Sequence, residues 1–109
     1  MDGEIPSEML YEDDRCVVIK DINPQAPTHV LVIPRKNIPR LVEAVAEDES
    51  LLGHLLLVAG KMAGQLGVDD AFRLVINNGA YAGQTVFHLH IHILAYKSFA
   101  ARSMGNEFG

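Results

Sequence analysis

Three histidines stand at every second position of a short apolar run, Thr85-Val86-Phe87-His88-Leu89-His90-Ile91-His92-Ile93-Leu94. Residues two apart in a strand share a face, so His88, His90 and His92 would line one surface while Phe87, Leu89, Ile91 and Ile93 line the other. Three imidazoles in register support two chemistries. Neutral imidazoles converging on one point can hold zinc or another borderline metal. The run from Thr85 to Ala95 has no carboxylate or thiol, however, so a distant residue such as His29 would have to complete the shell. Alternatively, one imidazole attacks phosphorus, being largely unprotonated near neutral pH, while its neighbours orient it and donate to the phosphoryl oxygens.

The loop ahead of the run favours phosphorus chemistry. Asn78-Gly79-Ala80-Tyr81-Ala82-Gly83-Gln84 carries two glycines that let the backbone turn and approach a ligand closely. The N–H groups from Gly83 to Thr85 can then cradle an oxyanion, with the Thr85 hydroxyl as a further donor. A pocket of imidazoles and amides without a lysine or arginine cluster suits a phosphodiester or phosphoramidate of low charge.

These groups need a scaffold. Met9 to Glu12 and Arg15 to Lys20 read as a hairpin around Asp13-Asp14, and Thr28 to Ile33 as a third strand ending at Pro34. A short helix is expected within Ile38 to Ala46, starting near Pro39. Ser50 is placed as N-cap of a long amphipathic helix whose apolar stripe is Leu51, Leu52, Leu55, Leu56, Ala59, Met62, Ala63 and Leu66. Gly53, Gly60 and Gly64, with Leu57 beside them, fall in another narrow sector. Interior glycines cost about 1 kcal/mol each relative to alanine, so close approach of a second subunit is expected there. Ala71 to Asn77 and Thr85 to Ala95 supply the fourth and fifth strands. The fold class is α+β: a mainly antiparallel five-stranded sheet with one long and one short helix.

Composition narrows the classes. A chain of 109 residues makes one domain. A formal charge of −5 with scattered basic residues argues against nucleic acid as partner, and no stretch is long and apolar enough for a membrane span. The first residues lack the pattern of a signal peptide, and the single cysteine, Cys16, excludes an intrachain disulfide, so a cytoplasmic setting is expected. Cys16 and His54 receive no functional assignment.

The segment from His88 to Leu94 resembles the signature of the histidine-triad (HIT) family, histidines alternating with apolar residues. The segments "EIPSEMLYEDDRCVVIKDINPQAPTHVLVIPRKNI" and "ESLLGHLL" are similar to its nucleotide-binding branch, the purine nucleoside phosphoramidases. The likeness covers about Glu4 to Leu94. It implies a single HIT domain over residues 1–109 with its core at about 4–95, and a homodimer in which two sheets join. It also implies a two-step reaction needing neither metal nor cofactor. By position, His90 would be the nucleophile, flanked by His88 and His92, with His29 beside them. Asp21 would bind ribose hydroxyls, Ile19 and Ile22 would line a purine slot, and Asn77, Gly83, Gln84 and Thr85 would surround the phosphate. Alternation independently puts Ile19 and Asp21 on one face.

The implied substrates are purine nucleoside 5′-monophosphate derivatives of the AMP or GMP type. Dinucleoside polyphosphate hydrolysis and non-catalytic nucleotide binding are the alternatives. Residues 96–109 depart from the branch, which usually continues with Gly-Gly-Arg and ends near Trp-Pro-Pro-Gly. Here Arg102-Ser103-Met104-Gly105 looks like a displaced copy of that ending, with consequences expected for substrate preference and dimerisation. A strand or CxxC segment that many relatives carry before the position of Glu4 is also missing.

Overall fold

The computed structural model describes residues 8–96, and expectations for the tail beyond Tyr96 and for the first seven residues fall outside them. Strands β1 (Met9–Glu12), β2 (Cys16–Lys20), β3 (Thr28–Pro34), β4 (Arg73–Val75) and β5 (Ile91–Ala95) form one antiparallel sheet in the order β1-β2-β3-β5-β4. Helix α1 (Glu49–Gln65) connects β3 to β4. The β1–β2 hairpin closes on a side chain: Asp13 Oδ1 accepts the amides of Arg15 and Cys16, each at 2.8 Å. An aspartate that mimics a backbone acceptor in this way is a strong turn former.

The register sorts side chains into rows. Val18, Val32 and Ile91 align across β2, β3 and β5 on one face, while Ile19, Leu31, His92 and Val75 align across four strands on the other. Helix α1 covers the first face, burying Leu55, Val58, Ala59, Met62 and Ala63 against Cys16, Val18, Val30, Val32, Ile91 and Ile93. On the second face Val17, Ile19 and Ile33 form a smaller apolar cluster with Leu31. The sheet is thus backed by a packed core on one side and presents its histidines on the other.

The structure corrects several details. The fifth strand begins at Ile91, not at Thr85, so His88 and His90 precede it. Val32 pairs with Ile91, and continuing that register would bring Leu89 to Pro34, which has no N–H to give. The Leu89 amide instead donates to Ile38 O at 2.7 Å, and the chain peels away from the sheet there. Alternation nevertheless persists through Leu89, which is buried in the core, whereas Phe87 is exposed.

The fourth strand shrinks to Arg73–Val75, and the expected short helix is replaced by two 3-10 turns at Leu41–Glu43 and Ala46–Asp48. Asp48, not Ser50, occupies the N-cap position of α1. Its buried carboxylate accepts the Val45 amide and the Lys36 ammonium, which hold its pKa below the usual carboxylate range. Ser50 lies inside the helix and accepts Arg15 Nη2 at 2.8 Å.

On α1 the core side includes Val58 and leaves Leu56 exposed. The face of Gly53, Leu57, Gly60 and Gly64 is exposed, and a Cβ at any of these glycines would meet nothing within 4 Å. Among the described residues no helix is long and apolar enough to cross a membrane.

Candidate active site

The second face of the sheet gathers Asp21, His29, His92 and His90. Asp21 follows β2 and stays in register with β3, its amide donating to His29 O at 3.0 Å. Its Oδ1 accepts the Asn23 amide at 2.8 Å, which leaves Oδ2 to face His29 Nε2 at 3.3 Å. His29 and His92, on paired strands, have ring centroids 5.1 Å apart, and His92 and His90 follow at 5.0 Å. Three imidazoles therefore stand in a row that begins beside a carboxylate.

Hydrogen bonds decide which nitrogen carries each proton. The Gln25 amide donates to His29 Nδ1 at 2.9 Å, so the neutral His29 ring holds its hydrogen on Nε2. That nitrogen lies 2.8 Å from His92 Nδ1 and donates to it. His92 must then carry its own hydrogen on Nε2, which is buried and has no partner among the described residues. An orphaned buried donor costs about 1–3 kcal/mol, so this nitrogen marks where an acceptor on a ligand is stabilising.

Electrostatics agrees with neutral rings for His29 and His92. Burial, then the neighbouring His90 and His29, push His92 down to about 4, against a weaker opposing pull from Asp21. Burial also lowers His29, opposed by Asp21. His92 at neutral pH is an uncharged donor, not a cation.

His90 is set differently. Its Nδ1 sits 2.7 Å from the His88 carbonyl, which can only accept, so the neutral ring presents a lone pair on Nε2. The His88 ring donates from Nε2 to Pro34 O at 2.7 Å, fixing the segment whose carbonyl orients His90. The three triad histidines thus have three separate tasks: His88 is an anchor, His90 offers a lone pair and His92 offers a hydrogen.

Of the remaining expected residues, Ile19 shares the cross-strand row of His92 and Ile22 adjoins Asp21, while Asn77, Gly83, Gln84 and Thr85 belong to the segment between β4 and the histidines. Ile19 is buried in the apolar cluster of this face, and Ile22 is exposed just beyond Asp21. The loop before the histidines includes a 3-10 turn at Ala80–Ala82, with Gly79 and Gly83 at positive φ of 96° and 98°. A Cβ on Gly83 would lie 3.9 Å from the Asn77 side chain, which places these two side by side, and Thr85 is exposed. Gln84 points inward instead of towards a ligand: Oε1 accepts the Gly79 amide at 2.7 Å, and Nε2 donates to Pro39 O at 2.7 Å and Val86 O at 3.1 Å. Its side chain shapes the loop, and its own amide is spent there too: Gln84 N–H donates to Gly79 O and Gly83 N–H to Ala80 O, each at 3.0 Å, so of the three amides expected to cradle a phosphate these two are engaged in the turn.

Two groups escaped the sequence reading. The Gln25 amide sets the protonation pattern of His29 and His92, and a peptide N–H leaves no signature in residue types. The Tyr96 hydroxyl, in the atypical segment, donates to Gln25 O at 2.6 Å and so steadies that same peptide region. Asp21, His29 and His92 also present one donor atom each within 4.8 Å of one another, a spacing that could hold a metal ion.

A model of the HIT domain matches residues 2–99. An uncharacterized HIT-like protein of Synechocystis is 61% identical over 97 residues, covering 89% of this chain and 85% of the relative. Among solved structures, a HIT family hydrolase from Clostridium thermocellum superposes with TM-score 0.84 at 43% identity, covering 91% of this chain and 87% of that one. A histidine triad protein from Clostridium difficile gives TM-score 0.84 at 42% identity, over 92% of this chain and 88% of that one.

Proposed function

This chain belongs to the HIT domain family, and on that premise we propose that it hydrolyses purine nucleoside 5′-phosphoramidates through a covalent nucleotidyl group on His90. Its fold is that of HIT family hydrolases, which supports nucleotide hydrolysis or binding at the family level. The observation that carries the finer reading is His90 Nδ1 bound to the His88 carbonyl, which leaves Nε2 as a fixed, available nucleophile.

In the first step His90 Nε2 bonds to the α-phosphorus and the P–N bond breaks. The departing nitrogen takes up a proton from solvent. His92 Nε2–H donates to the phosphoryl group, where a buried preoriented donor is worth more than one in water. In the second step water adds to phosphorus, His90 leaves, and the proton is given back, so the cycle consumes only water. Asp21 keeps one oxygen, Oδ2, for a ribose hydroxyl, next to the exposed Ile22 and the apolar edge at Ile19. The amide and hydroxyl of the exposed Thr85 receive a remaining phosphate oxygen, the Gly83 and Gln84 amides being bonded to Ala80 O and Gly79 O.

The assay is incubation with adenosine 5′-phosphoramidates bearing a panel of amines. AMP release is expected, and it should be lost in His90→Ala and His90→Asn while AMP still binds. Unchanged turnover in either variant would remove His90 from the reaction. Binding of AMP without release or a trapped intermediate would make the protein a nucleotide-binding module, and preferential cleavage of dinucleoside polyphosphates would reassign the substrate.

A further inference from the structure

A second cluster of chemistry-bearing side chains lies where the β1–β2 hairpin meets α1, on the helix-covered side of the sheet. Asp13 comes from the hairpin turn, Cys16 from the start of β2 and His54 from the first turns of α1. One donor atom from each lies within 4.8 Å of the other two. We propose that Asp13 Oδ2, Cys16 Sγ and a nitrogen of His54 form a binding site for a thiophilic divalent cation, best matched by zinc, which would clip the hairpin to the helix.

The donor set selects the ion. A carboxylate, a thiol able to become thiolate and an imidazole are the three zinc ligand types, and the mixture disfavours magnesium and calcium, which take oxygen shells. Asp13 is also already oriented from outside. Its Oδ1 is held by the amides of Arg15 and Cys16, while the Tyr11 hydroxyl donates to Oδ2 at 2.9 Å. Such outer contacts aim a ligating oxygen and raise its affinity for a metal.

The required movement is small. His54 Nε2 now donates to Asp13 Oδ2 at 2.7 Å, and two ligands of one tetrahedral ion stand about 3.2 Å apart, so this pair opens by about half an ångström. The other pairs, all within 4.8 Å, close by no more than about 1 Å towards the ion. The side chains of His54 and Asp13 are 25% and 20% exposed, which gives an ion a path in and a solvent-facing fourth position, while buried Cys16 forms the floor. On binding, the metal–sulfur bond forms as the thiol proton leaves to solvent, and the hydrogen between His54 and Asp13 moves to the other ring nitrogen. The dication then balances one thiolate and one carboxylate.

Titration of the full-length, metal-free protein with Co²⁺, followed by Zn²⁺, tests the site. The expected result is one equivalent of Co²⁺ with a thiolate-to-cobalt charge-transfer band and tetrahedral visible bands, displaced by Zn²⁺. Cys16→Ser should abolish the charge-transfer band, His54→Gln should weaken binding at least tenfold, and His92→Asn should leave both bands unchanged. Absence of a thiolate band in the unaltered protein overturns the proposal. So do bands that survive Cys16→Ser and vanish in His92→Asn, since those would belong to the histidine row. A readout independent of variants is the reaction of Cys16 with a thiol reagent in mild denaturant: zinc should slow it at least tenfold, and an unchanged rate counts against the site.

Discussion

Acidification from about pH 7 to pH 5 tests the neutral histidine row through stability alone. His92 is pushed from its ordinary 6.5 down to about 4 in the folded protein. The native state therefore binds this proton more weakly than the unfolded chain, and stability falls as pH drops. The contribution is intact above 6.5, declines between 6.5 and about 4, and is fully lost below that. At pH 5 the unfolded ring is almost wholly protonated and the folded one barely so, a difference of about 2 kcal/mol before screening. Solvent reaches part of the ring, which reduces the expectation to about 1 kcal/mol.

Urea unfolding at the two pH values, compared with the same pair for His92→Asn, isolates this amount, because carboxylates elsewhere titrate alike in both proteins. The unaltered protein should lose about 1 kcal/mol more than the variant. An NMR titration of the His92 ring should give a midpoint near 4. Equal losses in both proteins, or a midpoint near that of an ordinary histidine, would refute the assignment of His92 as a buried neutral donor.

Other expectations follow from the loop and the helix. Gly83→Ala forces a side chain to φ 98° where Asn77 at 3.9 Å is only in ordinary contact, so the cost is backbone strain of about 1–2 kcal/mol, readable as a lowered Tm. Gln84→Ala leaves the half-buried Gly79 amide and the Pro39 carbonyl short of partners, and should cost about 1–2 kcal/mol in urea unfolding while loosening the loop. If two copies associate through the exposed Gly53/Leu57/Gly60/Gly64 face, Leu57→Glu should halve the mass seen by sedimentation while leaving the far-UV spectrum unchanged. An unaltered mass would place the interface elsewhere.

The strand and helix positions were largely legible because period-two and helical spacing are local properties. The limits of β5 were not, since they depend on Pro34, some fifty-five residues earlier in the chain, having no hydrogen to offer Leu89. Leu56 and Val58 exchanged roles because a stripe drawn from residue type favours leucine, whereas the sheet selects by angle. His29 and Asp21 could be placed in the site by motif, and the structure adds that they touch. Gln84 shows the opposite limit: position put it near a phosphate, whereas the fold engages its side-chain amide with Gly79, Pro39 and Val86. Cys16 and His54 looked unremarkable in sequence because their shared partner, Asp13, reads as a simple turn residue.

The Gln25 peptide has a consequence for what the histidine row can carry. An amide gives a hydrogen bond but does not surrender its proton, so a proton leaving through His92 Nε2 would strip His29 of its last hydrogen and leave an imidazolate. Transport along the row is therefore blocked at its inner end. The row instead behaves as a stack of aligned dipoles, its positive tip fixed towards the ligand, and any proton the chemistry needs must enter and exit through the open mouth of the site.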